Sequence, residues 1–290
     1  HLGLSPEHYM DLAFGLHAAV LARQLPLAPS WFESLRPVYG ASVDAIWKLV
    51  ARDFPTLRSD LMRDVQTQRL RLHQELYEFP FLKRYPFYKM RNGHYQAWHP
   101  LVLARGLEEI VHLQLTRLQG DYTEPFSRIF ERYVWELAST MSATTIVEDT
   151  YANAVGAGEP TVEAVIPFGD CNVFIEAKMS LFGDDVLLTD NESQAYQKTK
   201  RVREGIKQGW KVGKALRQAS TPFPVCSGAT QDFLLLVTSR ELYLGSGEKL
   251  LRLYRPAAFD YPDVECRNCM PFENAFILSV ESYERLCIAV

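Results

Sequence analysis

Apolar residues recur at helical spacing in the first part of the chain and at strand spacing in much of the second. From Pro6 to Val20 the apolar positions Met10, Leu12, Ala13, Leu16 and Val20 follow a helical rhythm, behind Ser5 as N-cap and Pro6 at the first helical position. Ser42 opens a second helix carrying Val43, Ile46, Trp47 and Val50, and a third, heavily charged, runs from Leu57 to about Tyr77. Phe79 to Trp98 is rich in aromatic residues, with Asn92-Gly93 between two short runs. Asn-Gly supplies the positive φ of a type I′ turn, so the pattern predicts a hairpin of Phe87–Arg91 and His94–Trp98. Leu101 to about Leu118 returns to helix.

Beyond Gly120 the rhythm becomes mixed. Glu124 to Met141 predicts a helix with Phe126, Phe130, Val134 and Leu137 as its apolar stripe. Strands are expected at about 161–168 and 172–179, a long helix over about 193–218, further strands at Phe233–Ser239 and Ala275–Ser279, and a short helix from Val280 to Leu286. Residues 1–119 thus read as a mostly helical region with an aromatic β-hairpin, and 120–290 as an α/β domain with a mixed central sheet flanked by helices.

Composition narrows the function classes. The 290 residues are 47% hydrophobic and 23% charged, ordinary for a globular protein with a sizeable core. A net charge of −4 excludes a basic coat for nucleic acid, so any such contact needs a local patch. No apolar run reaches the ~18 residues of a membrane span. No signal-peptide pattern is visible, and a cytoplasmic location without a membrane partner is expected. Five scattered cysteines form no disulfide framework, and Cys266-x-x-Cys269 has no second pair to make a zinc site. His94, His99 and His112 form no defensible triad, and neither a Gly-x-Ser-x-Gly nor a phosphate-loop motif is present.

Candidate chemistry gathers on one predicted hairpin. Thr161 to Phe168 is followed by Gly169-Asp170, then by Cys171 to Lys178. A two-residue Gly-Asp loop pairs Phe168 with Cys171 and sets Glu163 opposite Glu176. Side chains two apart on a strand share a face, so Lys178 joins them. Like charges placed opposite one another destabilise a sheet, and carboxylates on strands this apolar face a desolvation cost. A divalent cation would remove both penalties, and hard carboxylate oxygens are what Mg²⁺ takes. The lysine would hold the attacking water or offset charge on a phosphate.

With Pro160-Thr-Val-Glu163 followed by Glu176-Ala177-Lys178, the second region resembles the PD-(D/E)XK, or restriction-endonuclease-like, nucleases over roughly residues 120–290. The family places an acid on one strand and Glu-x-Lys on the next. Its first acid is usually Asp, so Glu163 departs from the pattern, and Asp170 is the competing assignment. Strand geometry favours Glu163, since Asp170 falls at the hairpin tip, about 20 Å from Glu176 at ~3.3 Å per residue. The resemblance further implies a metal-side Glu131 on the preceding helix and a supporting Gln208 on the following one. It implies Mg²⁺, for which Mn²⁺ can substitute.

Between Lys198 and Arg217 stand eight basic residues against one acid, Glu204. Arg203, Lys207, Lys211 and Lys214 form one stripe, which with Lys200 predicts contact with a phosphate backbone. The expected activity is a DNA endonuclease, in antiphage defence by analogy with standalone members of the fold. An RNA or tRNA nuclease of the same fold and an inactive nucleic-acid-binding or sensor module stay open as alternatives. A homodimer, and a protein trigger or partner bound by the N-terminal region, are the further partners this reading admits.

Overall fold

The computed structural model describes residues 2–68, 80–118, 120–156, 158–179, 196–197, 199–242, 244–253 and 264–290. The distal part of the charged helix predicted to reach Tyr77, residues 193–195 of the predicted long helix, and Lys198 lie outside them. The chain divides into two compact units, His1–Gln119 and Gly120–Val290.

The longer helices of the first unit are α1 (Pro6–Leu21), α2 (Ser42–Val50), α3 (Phe54–Gln68) and α4 (Pro100–Leu115). The Ser5 hydroxyl accepts the His8 N–H at 3.2 Å and caps α1, as its sequence predicts. Ser42 opens α2 as its first helical residue, and its hydroxyl is bonded to His8 Nδ1 at 2.9 Å. The aromatic hairpin forms as β2 (Phe87–Lys89) and β3 (Tyr95–Ala97), but β1 (Ala51–Asp53) pairs parallel to β2 and makes a three-stranded sheet that the sequence reading lacked. The turn differs too. Met90 N donates to His94 O at 2.7 Å, so the loop holds three residues, and only Gly93 has positive φ (85°). That is the three-residue hairpin that ends on a left-handed glycine, rather than the two-residue type I′ turn. Trp47 centres this core, stacked on Tyr95 at 3.9 Å and edge-on to Phe87.

The second unit is built on a mixed six-stranded sheet in the order β4-β5-β6-β7-β9-β8. Its strands are β4 (Ile146–Val147), β5 (Ala164–Phe168), β6 (Cys171–Lys178), β7 (Gln231–Thr238), β8 (Gly245–Ser246) and β9 (Ala275–Ser279). β4, β5 and β6 are antiparallel, and β7 and β9 continue parallel to β6. Ile175 and Ala177 face one side, against Phe130, Val134 and Ala138 of α5 (Gly120–Met141) and Tyr283 of α8 (Val280–Ala289). Phe174 faces the other, with Val165, Leu234 and Leu236, against Val202, Ile206 and Trp210 of α7 (Lys200–Leu216). Strands covered on both faces read as near-continuous apolar runs, as Phe233 to Val237 does.

Helix α7 lies close to the sheet because one of its stripes is glycine. A Cβ on Gly205 would run into Leu236 Cδ1, one on Gly209 would come within 3.3 Å of Leu234, and one on Gly213 within 2.6 Å of Asp232 Oδ2. Spacings of four set these three glycines on alternate residues of β7. This close approach brings α7 over Glu176, whose Cγ lies 3.5 Å from the same added Gly205 Cβ. Among the described residues no helix is long and apolar enough to cross a membrane.

Candidate metal and phosphodiester site

The hairpin that carries the candidate site has the register expected of it. Phe168 pairs with Cys171 and Ala164 with Ile175, across a turn in which Gly169 has φ 59°. Glu163 stands one residue before β5, next in line after the Ala164–Ile175 pair. Its backbone does not continue the ladder; its side chain does. Oε1 of Glu163 accepts the Ala177 N–H at 3.0 Å. Glu163 and Glu176 are 6% and 1% exposed, on a sheet face otherwise filled by Phe174, Val165 and Leu236.

Lys178 lies on the same face, and its Nζ is ion-paired to Oε1 of Glu176. The other oxygen, Oε2, is buried without a hydrogen-bond partner. Both carboxyls are held well above the ordinary carboxylate range. For Glu163 the causes are burial first, then the charge of Glu176, opposed by the Ala177 N–H and Lys178, with Glu148 adding to the rise. For Glu176 burial dominates, Lys178 opposes it, and Glu148 and Glu131 push it further up. Burying an ion costs several kcal/mol even after relaxation, against roughly 1.5–3 kcal/mol contributed by one buried Phe or Leu. A single partly exposed lysine therefore leaves two buried acids short of compensation.

The other predicted residues divide. Gln208 Nε2 donates to Thr161 O at 3.0 Å and ties α7 to the segment that delivers Glu163. Asp170 is exposed at the hairpin tip, six residues from Glu176 along β6, so the structure does not bring it to the pair. Glu131 is on α5, across the sheet from Glu163, with its carboxylate bonded to the Ser127 hydroxyl at 2.8 Å. Its charge reaches Glu176 but is the last of the causes there.

The basic stripe is only partly outward. Arg203 is half-buried, stacked 3.5 Å over the Tyr196 ring with a guanidinium N–H donated to Tyr196 O at 2.9 Å. Cation–π packing turns it inward, so it departs from the expected phosphate stripe. Lys200 is 3.6 Å from Glu204, and Lys207 is half-buried. Lys211 and Lys214 are exposed one turn apart.

Two elements escaped the sequence reading. Glu148 opens α6 (Glu148–Val155), and its N–H donates to Glu163 O at 3.0 Å, directly beside the candidate acids. Its Oε1 accepts from the Thr161 hydroxyl at 2.6 Å. Its signal was Ile146-Val147, a strand of two residues, too short for any periodicity. At the opposite end of β6 and β7, Asp232 is buried, ion-paired to Arg217 and bonded by Asn172 Nδ2 at 3.1 Å.

A divalent cation suits this donor set. Mg²⁺ is commonly bound through one or two carboxylates, with water and phosphate oxygens completing its shell. Two acids and an unpartnered buried oxygen offer such a site. Among the described residues no three His, Cys, Asp or Glu side chains are already gathered as a cage. Comparison with family models, curated proteins and solved structures returns no match for this chain.

Proposed function

We propose that the second unit is a Mg²⁺-dependent phosphodiester hydrolase, a DNA endonuclease of the restriction-endonuclease-like, PD-(D/E)XK type. The observation that supports this most is Glu163 and Glu176 buried together beside Lys178, with Oε2 of Glu176 unpartnered. A purely structural sheet gains nothing from two adjacent buried acids. The element order supports the same reading: a helix bearing Glu131, the first acid, Glu-x-Lys on the next strand, then a helix bearing Gln208.

When bound, the cation supplies Lewis acidity and cancels the charge of the paired carboxylates. Glu163 and Glu176 hold it. Lys178, two residues on, is 23% exposed and ion-paired to Glu176, and holds the attacking water. Gln208 is a positioning residue, acting through Thr161 on the Glu163 segment. Exposed Lys211 and Lys214 attract the phosphate backbone, sequence-independently and in a salt-dependent way.

Incubating the purified chain with Mg²⁺ and duplex DNA, single strands or tRNA tests this. Cleavage of duplex DNA is expected. Lys178→Ala and Glu176→Gln are each expected to lower it at least about a thousandfold with an unchanged far-UV circular dichroism spectrum. Full activity in both variants, or binding without metal-stimulated cleavage by the wild type, sinks the reading. Cleavage confined to tRNA would keep the chemistry and correct the substrate.

A further inference from the structure

Three glutamates stand abreast at one end of the sheet, on the face that α7 covers. Val147 pairs with Ala164, and Ala164 with Ile175. One step along each ladder come Glu148, Glu163 and Glu176, and the Glu148 N–H is bonded to Glu163 O. Neighbouring strands are about 4.8 Å apart, so the three side chains start within about 10 Å across the sheet. Lys178 is the cation paired within this row. The charge of Glu148 is felt at both Glu163 and Glu176.

A row of acids is not a site by itself. Glu176 supplies a second observation, because its Oε2 is buried without a partner in a side chain 1% exposed. A buried carboxylate oxygen left unsatisfied is costly unless something binds it. The ligand must be a cation or a donor, and Lys178 is already engaged at Oε1.

We propose that Glu148 supplies the third carboxylate ligand of a divalent cation held with Glu163 and Glu176, and that Thr161 is its resting partner until the cation binds. The proposal rests on the hydrolase reading and deepens it by assigning a ligand that the Glu-x-Lys pattern does not contain. It requires Glu148 to exchange the Thr161 hydroxyl for the cation. Two features make that exchange open to it. Glu148 is half-buried rather than locked in the core, and it sits at the first residue of α6, where the preceding strand ends. Glu131 is the weaker candidate: it projects from the helix on the opposite face and is bonded to Ser127.

The experiment is a Mn²⁺ titration of the full chain, with unbound Mn²⁺ followed by electron paramagnetic resonance. Wild-type protein is expected to bind Mn²⁺, and Glu148→Gln, which keeps an acceptor for Thr161, is expected to bind it at least about tenfold more weakly. Thr161→Val leaves all three acids in place and is expected to bind at least as tightly as wild type. Should Glu148→Gln fail to fold, Glu148→Asp carries the test, because it keeps the charge and withdraws the carboxylate by one methylene. Wild-type affinity in the Glu148 variant that folds overturns the proposal, as does a wild-type chain that binds no Mn²⁺. If Mn²⁺ binding depends on Glu148 while the wild type cuts no nucleic acid, the cation site stands and the nuclease reading falls. If the wild type cuts while Glu148→Gln binds Mn²⁺ normally, the nuclease reading stands and Glu148 is no ligand.

Discussion

The two ends of the β6–β7 strand pair bury acids under the same helix and treat them in opposite ways. At the start of β7, Asp232 meets Arg217 and the Asn172 amide, and its backbone carbonyl is bonded by Asn274 Nδ2 at 3.0 Å. That carboxylate has a strong counter-charge on one oxygen and an amide donor on the other. At the far end of β6, Glu176 meets one lysine, keeps a bare oxygen, and lies near three further glutamates. Desolvation is common to both ends, so compensation is what distinguishes them. An acid whose charge is matched within the fold acts as a clamp, here between α7 and the sheet. An acid left unmatched is held at a cost, relieved by a proton or by a cation that the chain itself does not provide.

Removing the acid at each end should therefore change stability with opposite signs. Asp232→Asn strips Arg217 of its buried partner, and breaking such a pair costs about 3–5 kcal/mol. Glu176→Gln removes an undercompensated charge, and metal-free protein is expected to gain on the order of 1 kcal/mol. Urea unfolding in the presence of a chelator measures both. Destabilisation of similar size in the two variants would erase the distinction.

The glycine stripe can be broken at its functional end. Gly205→Ala puts a methyl against Leu236, which is fully buried, and next to Glu176. Overpacking of this kind costs about 1–3 kcal/mol and would lift α7 from the acids. Lower stability together with weakened Mn²⁺ binding is expected; lower stability with unchanged binding would show that α7 need not lie close for the site to form.

These contrasts show what the sequence made legible. The β5–β6 register followed from Gly169-Asp170 and a period-two pattern, because a two-residue loop leaves one pairing. The Glu163–Glu176–Lys178 face followed from that register alone. Glu148 was hidden because β4 is two residues long and gains its identity from pairing with Val165 and Ala164. The Asp232–Arg217 pair was hidden because the two residues come from different elements, and charge runs do not disclose which member turns inward. Arg203 shows the same blindness: it reads as part of a basic stripe, and Tyr196 draws it out of that stripe.

A smaller effect follows from protonation. The carboxyls of Glu163 and Glu176 are raised in the folded chain relative to an ordinary value near 4.5. The native state then holds protons that the unfolded chain has released. Their stabilising contribution is fully present below the unfolded value and is lost as pH rises through the folded ones. Metal-free protein is thus expected to lose stability from about pH 5 upward, and saturating Mg²⁺ should flatten the slope. A metal-free stability that rises over the same range would contradict the charge imbalance at this end.

The smallest expected effect decides the identity of the first acid. Asp170→Asn changes an exposed side chain at the hairpin tip. Its backbone carbonyl accepts the Thr230 N–H at 2.8 Å and the Thr230 hydroxyl at 3.3 Å. Asparagine preserves both, and exposed substitutions usually stay within about 0.5 kcal/mol. Cleavage and Mn²⁺ affinity should match wild type within about twofold, while Glu163→Gln loses both by at least about tenfold. Were Asp170→Asn the inactive variant and Glu163→Gln the active one, the acid pair on β5 and β6 would be a buried structural strain, and the catalytic metal would have to be sought at the tip of the hairpin. The register leaves no middle case, because six residues of extended strand separate Asp170 from Glu176, and no single cation spans that distance.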